Sequence, residues 1–295
     1  MMMFFQTVIT GIIVGSLYSL VALGIVIIYK STHVFNFAHG EILMLGSFVA
    51  WTSLVHFGIP LWMTVPLVIA FAVLLGMAIE YLVMRPMVGQ PILSMIIVTL
   101  GLGAFFTGAG NLFWGKEDYY LLPEIISREP IALVGMSLSR QHIVAFCMSL
   151  LFFAIFTLFF RYTKWGLEMQ AVANDHQAAR STGISTKLVF ALSWIIAAIV
   201  AIAAGVLLGS MNGVTLDMSV IAIKAFPVII LAGLESISGV LIAGPIVGVL
   251  EYLAGRYLDP YVGGGVMDIA PFVILIFILV IRPYGLFGLK RIERI

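Results

Sequence analysis

Residues 6–29, QTVITGIIVGSLYSLVALGIVIIY, contain no charged side chain, and the first positive charge of the chain, Lys30, follows directly. The hydrocarbon core of a membrane is about 30 Å thick, and a helix needs about 20 predominantly apolar residues to cross it. The stretch is therefore predicted to be a transmembrane helix. Because no basic segment precedes it, we do not expect a cleaved signal peptide, and the helix should remain in the protein.

The composition extends this prediction to the whole chain. Of 295 residues, 62% are hydrophobic and 10% are charged, and the mean hydropathy is +1.16. In soluble domains about a quarter of the residues are charged, so this composition indicates an integral membrane protein. The 29 glycines lie in apolar runs that do not alternate with a period of two, which argues against an outer-membrane barrel. A net charge of +1 does not favour a nucleic-acid partner, and one cysteine allows no intrachain disulfide.

Nine apolar runs bounded by charges, Pro or Gly are candidates to cross the membrane. The sequence thus predicts an all-α polytopic membrane protein with about eight or nine transmembrane helices, some of them short or broken, in a single domain over residues 1–295. The candidate spans are about 6–29, 36–56, 61–84, 92–113, 140–160, 188–209, 219–234, 238–257 and 267–282.

The basic residues predict the orientation. With nine crossings and the N-terminus outside, ten basic residues fall on the cytoplasmic side and four on the outer side. Short cytoplasmic loops are enriched in Lys and Arg, so we expect an outer N-terminus and a cytoplasmic C-terminus. The inner set is Lys30, Arg85, Arg161, Lys164, Arg180, Lys187, Arg282, Lys290, Arg291 and Arg294, and the outer set is Lys116, Arg128, Arg140 and Arg256.

Two connections between the predicted spans are long. Residues 114–139 form an outer loop with net negative charge, and residues 161–187 form the one substantial cytoplasmic segment. The chain contains neither a Walker-type phosphate loop nor a stretch typical of a soluble catalytic domain. Energy for any transport must therefore come from a gradient or from a partner.

The cytoplasmic segment has helix-forming composition between Gly166 and Gly183. Glu168 near the start and Arg180 near the end complement the helix dipole, and Gly183 suits the left-handed conformation that ends a helix. We predict one short surface helix. It either docks in a groove of a partner or lies on the membrane as an amphipathic connector.

Several polar residues are candidates for a gate or a solute path. Asn36 is expected to be the N-cap of the second span, with His39 and Glu41 in its first turn. These residues form either a cytoplasmic gate or a polar lock between two membrane subunits, or a simple cap with an interfacial acid held in water. A metal site is not favoured, because His33, His39 and Glu41 lack partners at suitable spacing.

Lys224 lies within an apolar run, where a cation at the centre of the membrane costs about 2.5–3.5 kcal/mol. It is expected to line the solute path or to fix a kink beside Pro227, or else to extend to the interface, and Asp217 is a possible partner. The run 219–234 is short, and Pro227 suggests a broken helix or a tilted hairpin. Further acidic candidates are Glu235 at the inner turn, Glu80 and Glu251.

Small residues form stripes in two spans and predict close helix packing there. They are Gly101, Gly103, Gly108 and Gly110 in the fourth span, and Ala197, Ala198, Ala201, Ala204 and Gly205 in the sixth.

Four blocks, spread over nearly the whole chain, resemble the permeases of bacterial ABC importers for branched-chain amino acids. The length fits the shorter H-type (LivH-like) subunit better than the longer M-type one. The blocks are Gly15–Leu20 with Asn36–Glu41; Gly166, Glu168, Ala171, Ala173, Asp175, Ala178, Gly183 and Ile184; Lys224–Phe226 with Leu231–Gly239; and Arg282, Pro283, Gly285, Leu286, Phe287 and Gly288. The sequence departs from the family at Asn174, where an acid is common.

The resemblance implies a permease of the bacterial inner membrane. It would work with a second, M-type permease, two cytoplasmic ATPase subunits that use ATP and Mg²⁺, and an extracytoplasmic binding protein that delivers the solute. The chain itself would be no enzyme and would bind no cofactor or metal. Branched-chain amino acids are the expected solute, with urea, other amino acids and small carboxylates as alternatives.

The resemblance also assigns roles to particular residues. The ATPase-coupling set is Gly166, Glu168, Ala171, Asp175, Ala178, Arg180 and Gly183, and the path or gate set is Asn36, His39, Glu41, Lys224 and Glu235. Two other classes remain open: an ion-coupled carrier that uses Glu41, Lys224 and Glu251 as relays, and an intramembrane enzyme that uses His39 and Glu41.

Overall fold

The computed structural model describes residues 1–117, 119–123, 130–133, 136–282 and 285–288. The predictions that concern Arg128, Pro283, Lys290, Arg291 and Arg294 lie outside these ranges. Eleven helices are described: α1 Met2–Thr32, α2 His39–Trp51, α3 Leu61–Ala78, α4 Ile92–Trp114, α5 Arg140–Tyr162, α6 Lys164–Asn174, α7 His176–Ser181, α8 Thr186–Asn212, α9 Ile221–Ala232, α10 Ile237–Val262 and α11 Val266–Ile281.

Short non-α segments extend or join these helices. Single π-helical turns continue α2 over Thr52–His56 and α3 over Ile79–Met84, and 3₁₀ turns cover Arg85–Met87 and Leu216–Val220. In the loop predicted on the outer side, β1 (Pro130–Leu133) and β2 (Met136–Ser139) form an antiparallel hairpin with Pro130 opposite Ser139.

Each of the nine predicted spans corresponds to a helix, which confirms an all-α polytopic membrane protein. Among the described residues, six helices are long and apolar enough to cross a membrane: Met2–Thr32, Leu61–Met87, Ile92–Trp114, Arg140–Tyr162, Thr186–Asn212 and Ile237–Val262. The remaining three, α2, α9 and α11, have 13, 12 and 16 residues.

Helix α1 lies at the centre of the bundle. Its residues are almost continuously buried from Gly11 to Ile28, and it contacts α5, α8, α9 and α10. Its closest neighbour is α10, because glycines on both helices let the two backbones meet. A Cβ atom at Gly15 would overlap the carbonyl oxygen of Gly244, and one at Gly248 would overlap the carbonyl oxygen of Gly11. Such small-residue contacts are typical of tight helix pairs in membranes.

The stripe predicted in the sixth span packs as expected. In α8, Gly205 lies against the Leu43 carbonyl and the Ser47 side chain of α2, and the four alanines of the stripe are buried. The stripe predicted in the fourth span is only half correct. Gly103 and Gly110 of α4 face α2, but Gly101 and Gly108 face open space, where an added Cβ meets nothing within 4 Å.

The prediction of a broken helix or hairpin at 219–234 is wrong. Helix α9 runs through Pro227 without a break, and the departures from α geometry lie at its two ends: the 3₁₀ turn Leu216–Val220 and Gly233, which has φ +91°. Packing by neighbouring helices allows a transmembrane helix to continue past a proline, and α9 contacts α1, α10 and α11.

The segment after α11 returns to the end of α9. The backbone N–H of Leu286 donates to the Leu231 carbonyl at 2.7 Å, and that of Phe287 donates to the Ala232 carbonyl at 3.2 Å. A Cβ atom at Gly233 would lie 2.5 Å from the backbone nitrogen of Gly288, so the turn requires glycine for space as well as for its positive φ.

The segments predicted on the cytoplasmic side meet at one end of the molecule. One cavity there is lined by Thr32, Arg85 and His176, and a second by Lys30, Arg161, Glu235 and Gly288. At the opposite end, the indole of Trp51 donates to the Leu121 carbonyl at 3.0 Å, and the backbones of Tyr120 and Val214 pair.

Candidate functional site

The cytoplasmic segment begins with a tight turn from α5 into α6. Thr163 is the N-cap of α6, and its hydroxyl accepts a hydrogen bond from the Gly166 N–H at 3.1 Å. A Cβ atom at Gly166 would lie 2.5 Å from the Phe159 carbonyl oxygen and from the Phe160 Cα atom. Gly166 is therefore required for the close approach of α6 to the end of α5.

The prediction of one helix between Gly166 and Gly183 is wrong, because Asp175 divides it into α6 and α7. Asp175 has extended φ and ψ angles of −157° and 111°, and its carboxylate accepts hydrogen bonds from the N–H groups of Gln177 at 2.7 Å and Ala178 at 3.0 Å. Aspartate favours such N-cap positions over a helix interior. Hydrogen bonds from Ala178 and Gln177 lower the pKa of the Asp175 carboxyl, which keeps the cap ionised.

The end of α7 agrees with the prediction. Gly183 has φ +86°, its N–H donates to the Arg180 carbonyl at 3.0 Å, and the Ile184 N–H donates to the Ala179 carbonyl at 3.0 Å. These bonds satisfy carbonyl groups that the helix end would otherwise leave unpaired.

The residues predicted to couple to an ATPase fall into two groups. Asp175, Ala178, Arg180 and Gly183 are exposed, whereas Gly166 is buried and Glu168 and Ala171 are half-buried. Met169, Val172 and Ala179 are buried and anchor the segment to the membrane helices. Helices α6 and α7 thus form a platform that is anchored to the membrane helices and has an exposed, polar outer edge. Sequence reasoning did not find the anchoring residues, although their apolar spacing in α6 was visible.

The start of α2 differs from the prediction. Ala38, not Asn36, is the N-cap, and the Asn36 Oδ1 atom accepts from the Ala38 N–H at 3.1 Å in a turn before the helix. Asn36 and His39 are both completely buried, and Glu41, the acid that the alternative interpretation places in water, is half-buried. The segment before α2 is thus non-helical backbone that is buried at Asn36 and Ala38 and exposed at Phe37.

His39 and Glu41 lie against glycines of neighbouring helices. A Cβ atom at Gly24 of α1 would lie 2.5 Å from Cε1 of the His39 imidazole, and one at Gly103 of α4 would lie 3.3 Å from the Glu41 carboxylate. His39 interacts weakly with the Val21 carbonyl but makes no well-formed hydrogen bond, and neither does the Nδ2 atom of Asn36. Unpaired buried polar groups of this kind are uncommon and are typical of functional positions.

Lys224 belongs to a cluster of charged groups inside the bundle. Its Nζ atom lies 3.0 Å from Glu251 Oε1 of α10 and 2.8 Å from Asp268 Oδ1 of α11, and the Tyr18 hydroxyl of α1 donates to the same Glu251 oxygen at 3.3 Å. The side chain of Glu251 is fully buried, that of Lys224 is 17% exposed and that of Asp268 is 77% exposed. Lys224 thus pairs with acids of α10 and α11, and the predicted partner Asp217 is not one of them.

The candidate residues do not form one site. Asn36, His39 and Glu41 lie together at the start of α2, and α9 touches this region through the stacked rings of Phe37 and Phe226, whose centroids are 5.5 Å apart. Lys224 lies two residues before Phe226. The remaining member, Glu235, lies in the turn before α10, where it lines a cavity together with Lys30 and Arg161.

Comparisons with known proteins agree with these observations. The family described as "Branched-chain amino acid transport system / permease component" matches residues 7–281. The chain is 31% identical to the high-affinity branched-chain amino acid transport system permease protein LivH of Salmonella typhimurium, over 99% of this chain and 98% of the relative. It is also 31% identical to BraD of Pseudomonas aeruginosa, with the same coverage, and 30% identical to a probable LivH of Methanocaldococcus jannaschii, over 97% and 93%.

A solved structure shares the fold. PsaBC from Streptococcus pneumoniae, in complex with a Fab, matches with a TM-score of 0.52 over 95% of this chain and 91% of the other, at 14% identity. The family match over almost the whole length, together with the full-length relatives, establishes the identity. The chain belongs to the family of permease components of branched-chain amino acid transport systems.

Proposed function

We propose that this chain is the membrane-spanning permease subunit of an ATP-binding-cassette importer that takes up branched-chain or related amino acids delivered by an extracytoplasmic binding protein. The observation that carries the proposal is the anchored platform of α6 and α7, which presents an exposed polar edge to a partner. The names of the LivH and BraD relatives support the solute class. Another small polar solute, such as urea, another amino acid or a small carboxylate, would use the same importer type.

The proposed arrangement is a single domain of nine crossings, with the N-terminus outside and the C-terminus in the cytoplasm. The clustering of Lys30, Arg85, Arg161 and Arg180 near one end supports this orientation, because basic residues are retained on the cytoplasmic side. A 12-residue helix such as α9 is only about 18 Å long, so the 3₁₀ turn Leu216–Val220 that precedes it supplies part of its crossing.

The proposed partners are a second, M-type permease, two ATPase subunits and the binding protein. In this assembly the ATPase subunits bind ATP and Mg²⁺, and this chain binds no cofactor. Asp175, Ala178, Arg180 and Gly183 contact the ATPase, whereas Gly166, Glu168 and Ala171 hold the platform in place. The burial of Met169 and Val172 supports force transfer, because movement of α6 must displace the helices on which it packs.

The proposed solute path passes the start of α2. Non-helical backbone at membrane depth is tolerated where it is enclosed by protein or lines a water-filled cavity. Asn36, His39 and Glu41 supply polar groups for a gate at this level, Lys224 stands on the neighbouring helix, and Glu235 lies at the cytoplasmic exit. The imperfect hydrogen bonding of Asn36 and His39 supports a gate, because a second conformation can offer these groups new partners.

Reconstituted uptake tests the proposed energy source. In vesicles that hold the chain with its permease partner, ATPase subunits and binding protein, we expect uptake of labelled leucine that requires internal ATP. Omission of the ATPase subunits should abolish uptake even under a proton or sodium gradient. Gradient-driven uptake without ATPase would instead support an ion-coupled carrier that uses Glu41, Lys224 and Glu251.

Charge reversal on the platform tests the coupling surface. We expect Arg180→Glu to leave the amount of folded protein unchanged, because Arg180 is exposed, and to reduce ATP-dependent uptake at least tenfold relative to the rate of ATP hydrolysis. Lys187→Glu is the matched control, since it also reverses an exposed basic charge but lies outside the proposed contact set. Equal ratios of uptake to hydrolysis in Arg180→Glu and in the unsubstituted protein would contradict a role of this edge in ATPase contact.

A further inference from the structure

A cavity of about 260 Å³ lies beneath the coupling platform, between the ends of the membrane helices. It is enclosed by the end of the α3 segment, the start of α4, helix α7 and the first turns of α8. Ligand sites for drug-sized molecules occupy about 300–1,000 Å³, so this cavity suits a smaller molecule.

One wall of the cavity is polar and carries both signs of charge. The buried carboxylate of Glu80 accepts two hydrogen bonds from Arg85, at 3.2 Å from Nε and 2.9 Å from Nη2. Arg180 donates through Nε to the Thr186 hydroxyl at 3.2 Å, and its terminal nitrogens make no hydrogen bond to any residue that the structure describes. The cavity therefore offers one carboxylate and a guanidinium group with unused donors.

His176 adds a neutral polar group to this wall. Burial lowers the pKa of His176, and the nearby His33 and Arg180 lower it further, so that the ring is uncharged at neutral pH. Its buried Nδ1 atom has no hydrogen-bond partner in the described part of the chain. With Arg85 and Glu80 compensating each other, the net charge of the wall is about +1 from Arg180.

The other walls are apolar. Met84, Met95, Phe190 and Trp194 line the cavity and present large hydrocarbon surfaces. The Glu80 carboxylate keeps the lone pairs that its two hydrogen bonds from Arg85 leave free. A small ligand that matches these surroundings has an anionic group for Arg180, an ammonium group for these lone pairs and an aliphatic part for the apolar side. A free amino acid with an aliphatic side chain carries these three groups.

We infer that this cavity is a second, cytoplasm-facing binding site for a zwitterionic amino acid with an aliphatic side chain, and that its occupancy restrains the coupling platform. The ligand carboxylate pairs with Arg180 of α7, and its ammonium group pairs with Glu80 at the end of α3. The bound molecule thereby ties α7 to a membrane helix, and accumulated solute slows further import. The ligand class and the sidedness rest on the proposed function.

Binding is measured directly on the assembled transporter in nanodiscs, without the binding protein, with labelled L-leucine. We expect saturable binding that Val88→Trp weakens at least tenfold, because Val88 lines the cavity and an indole at this position fills it. Leu82→Trp is the matched control: Leu82 is 68% exposed in the same region and does not line the cavity. Val88→Phe, which adds a smaller ring, provides a second variant if the indole disturbs folding.

Transport separates this inference from the proposed function. Uptake into empty vesicles tests the importer itself, and vesicles preloaded with leucine test the second site. We expect preloading to slow uptake by the unsubstituted protein and by Leu82→Trp, but not by Val88→Trp. Three results would each overturn the inference. The first is normal uptake into empty vesicles with no effect of preloading, and the second is leucine binding that Val88→Trp and Val88→Phe leave unchanged. The third is occupation of the cavity by anionic lipid that leucine does not displace.

Discussion

Gly244→Val is expected to prevent the chain from accumulating as a folded protein. A Cβ atom at Gly244 would overlap the Ser19 side chain and the backbone carbonyl of Gly15, both in α1. Helix α1 cannot move aside, because α5, α8 and α9 contact its other faces. Overpacking in a well-packed core costs about 1–3 kcal/mol, and we expect a value at or above the upper limit here because backbone atoms are involved. The yield of monodisperse protein in detergent and the midpoint of thermal unfolding measure the effect.

Gly108→Val supplies a matched control for this substitution. It makes the same chemical change in the middle of a transmembrane helix, but an added Cβ meets no atom within 4 Å at Gly108. We expect near-normal yield and a small shift of the unfolding midpoint. If Gly244→Val and Gly108→Val behaved alike, the close packing of α1 on α10 would not be the reason for glycine at position 244.

Lys224→Met is expected to destabilise the bundle by about 3–5 kcal/mol, because it leaves the fully buried carboxylate of Glu251 without a cation. Truncating one member of a buried pair is costly, whereas replacing both members with apolar side chains is often neutral. We therefore expect the double variant Lys224→Met with Glu251→Met to recover most of the stability. Thermal unfolding in detergent of the unsubstituted protein, Lys224→Met, Glu251→Met and the double variant completes the cycle.

Transport by the double variant then reports on function apart from folding. We expect it to remain folded and to lose most ATP-dependent uptake, since the proposed path would have lost its cation. Asp268→Asn is the control within the same cluster: Asp268 is 77% exposed, so its loss should change stability by about 1 kcal/mol or less. Normal uptake by the double variant would reduce Lys224 to a structural role, and equal instability of the single and double variants would contradict the pairing.

The sequence was sufficient to predict the helices because the membrane imposes a length and an apolar composition on each of them. The runs 92–113 and 140–160, for example, correspond to α4 at Ile92–Trp114 and α5 at Arg140–Tyr162. The break at Asp175 was missed because helix-forming neighbours outweighed one aspartate in the composition. The Asp175 side chain nevertheless forms the N-cap of α7. Aspartate favours cap positions whatever the helix propensity of the neighbouring residues.

The partners of the polar residues were harder to predict than the residues themselves. Lys224 was identified as a cation that needs compensation, but the nearest acid in sequence, Asp217, was an incorrect choice of partner. Glu251 lies 27 positions away, on the next helix along the chain. A search for one buried acid per buried base across adjacent spans would have suggested this pair. The glycines of α1 and α10 were equally visible, yet spacing alone does not say which two helices meet.

The central position of α1 has a consequence for the order of events during synthesis. Helix α1 leaves the ribosome before α10, its closest neighbour, which is translated more than 200 residues later. In the interval α1 must reside in lipid without the surface that finally covers it. The absence of charge over residues 6–29 makes this waiting state stable, because every face of the helix tolerates hydrocarbon. Helix α1 can thus remain in the membrane as an independent helix until α10 is translated and packs against it.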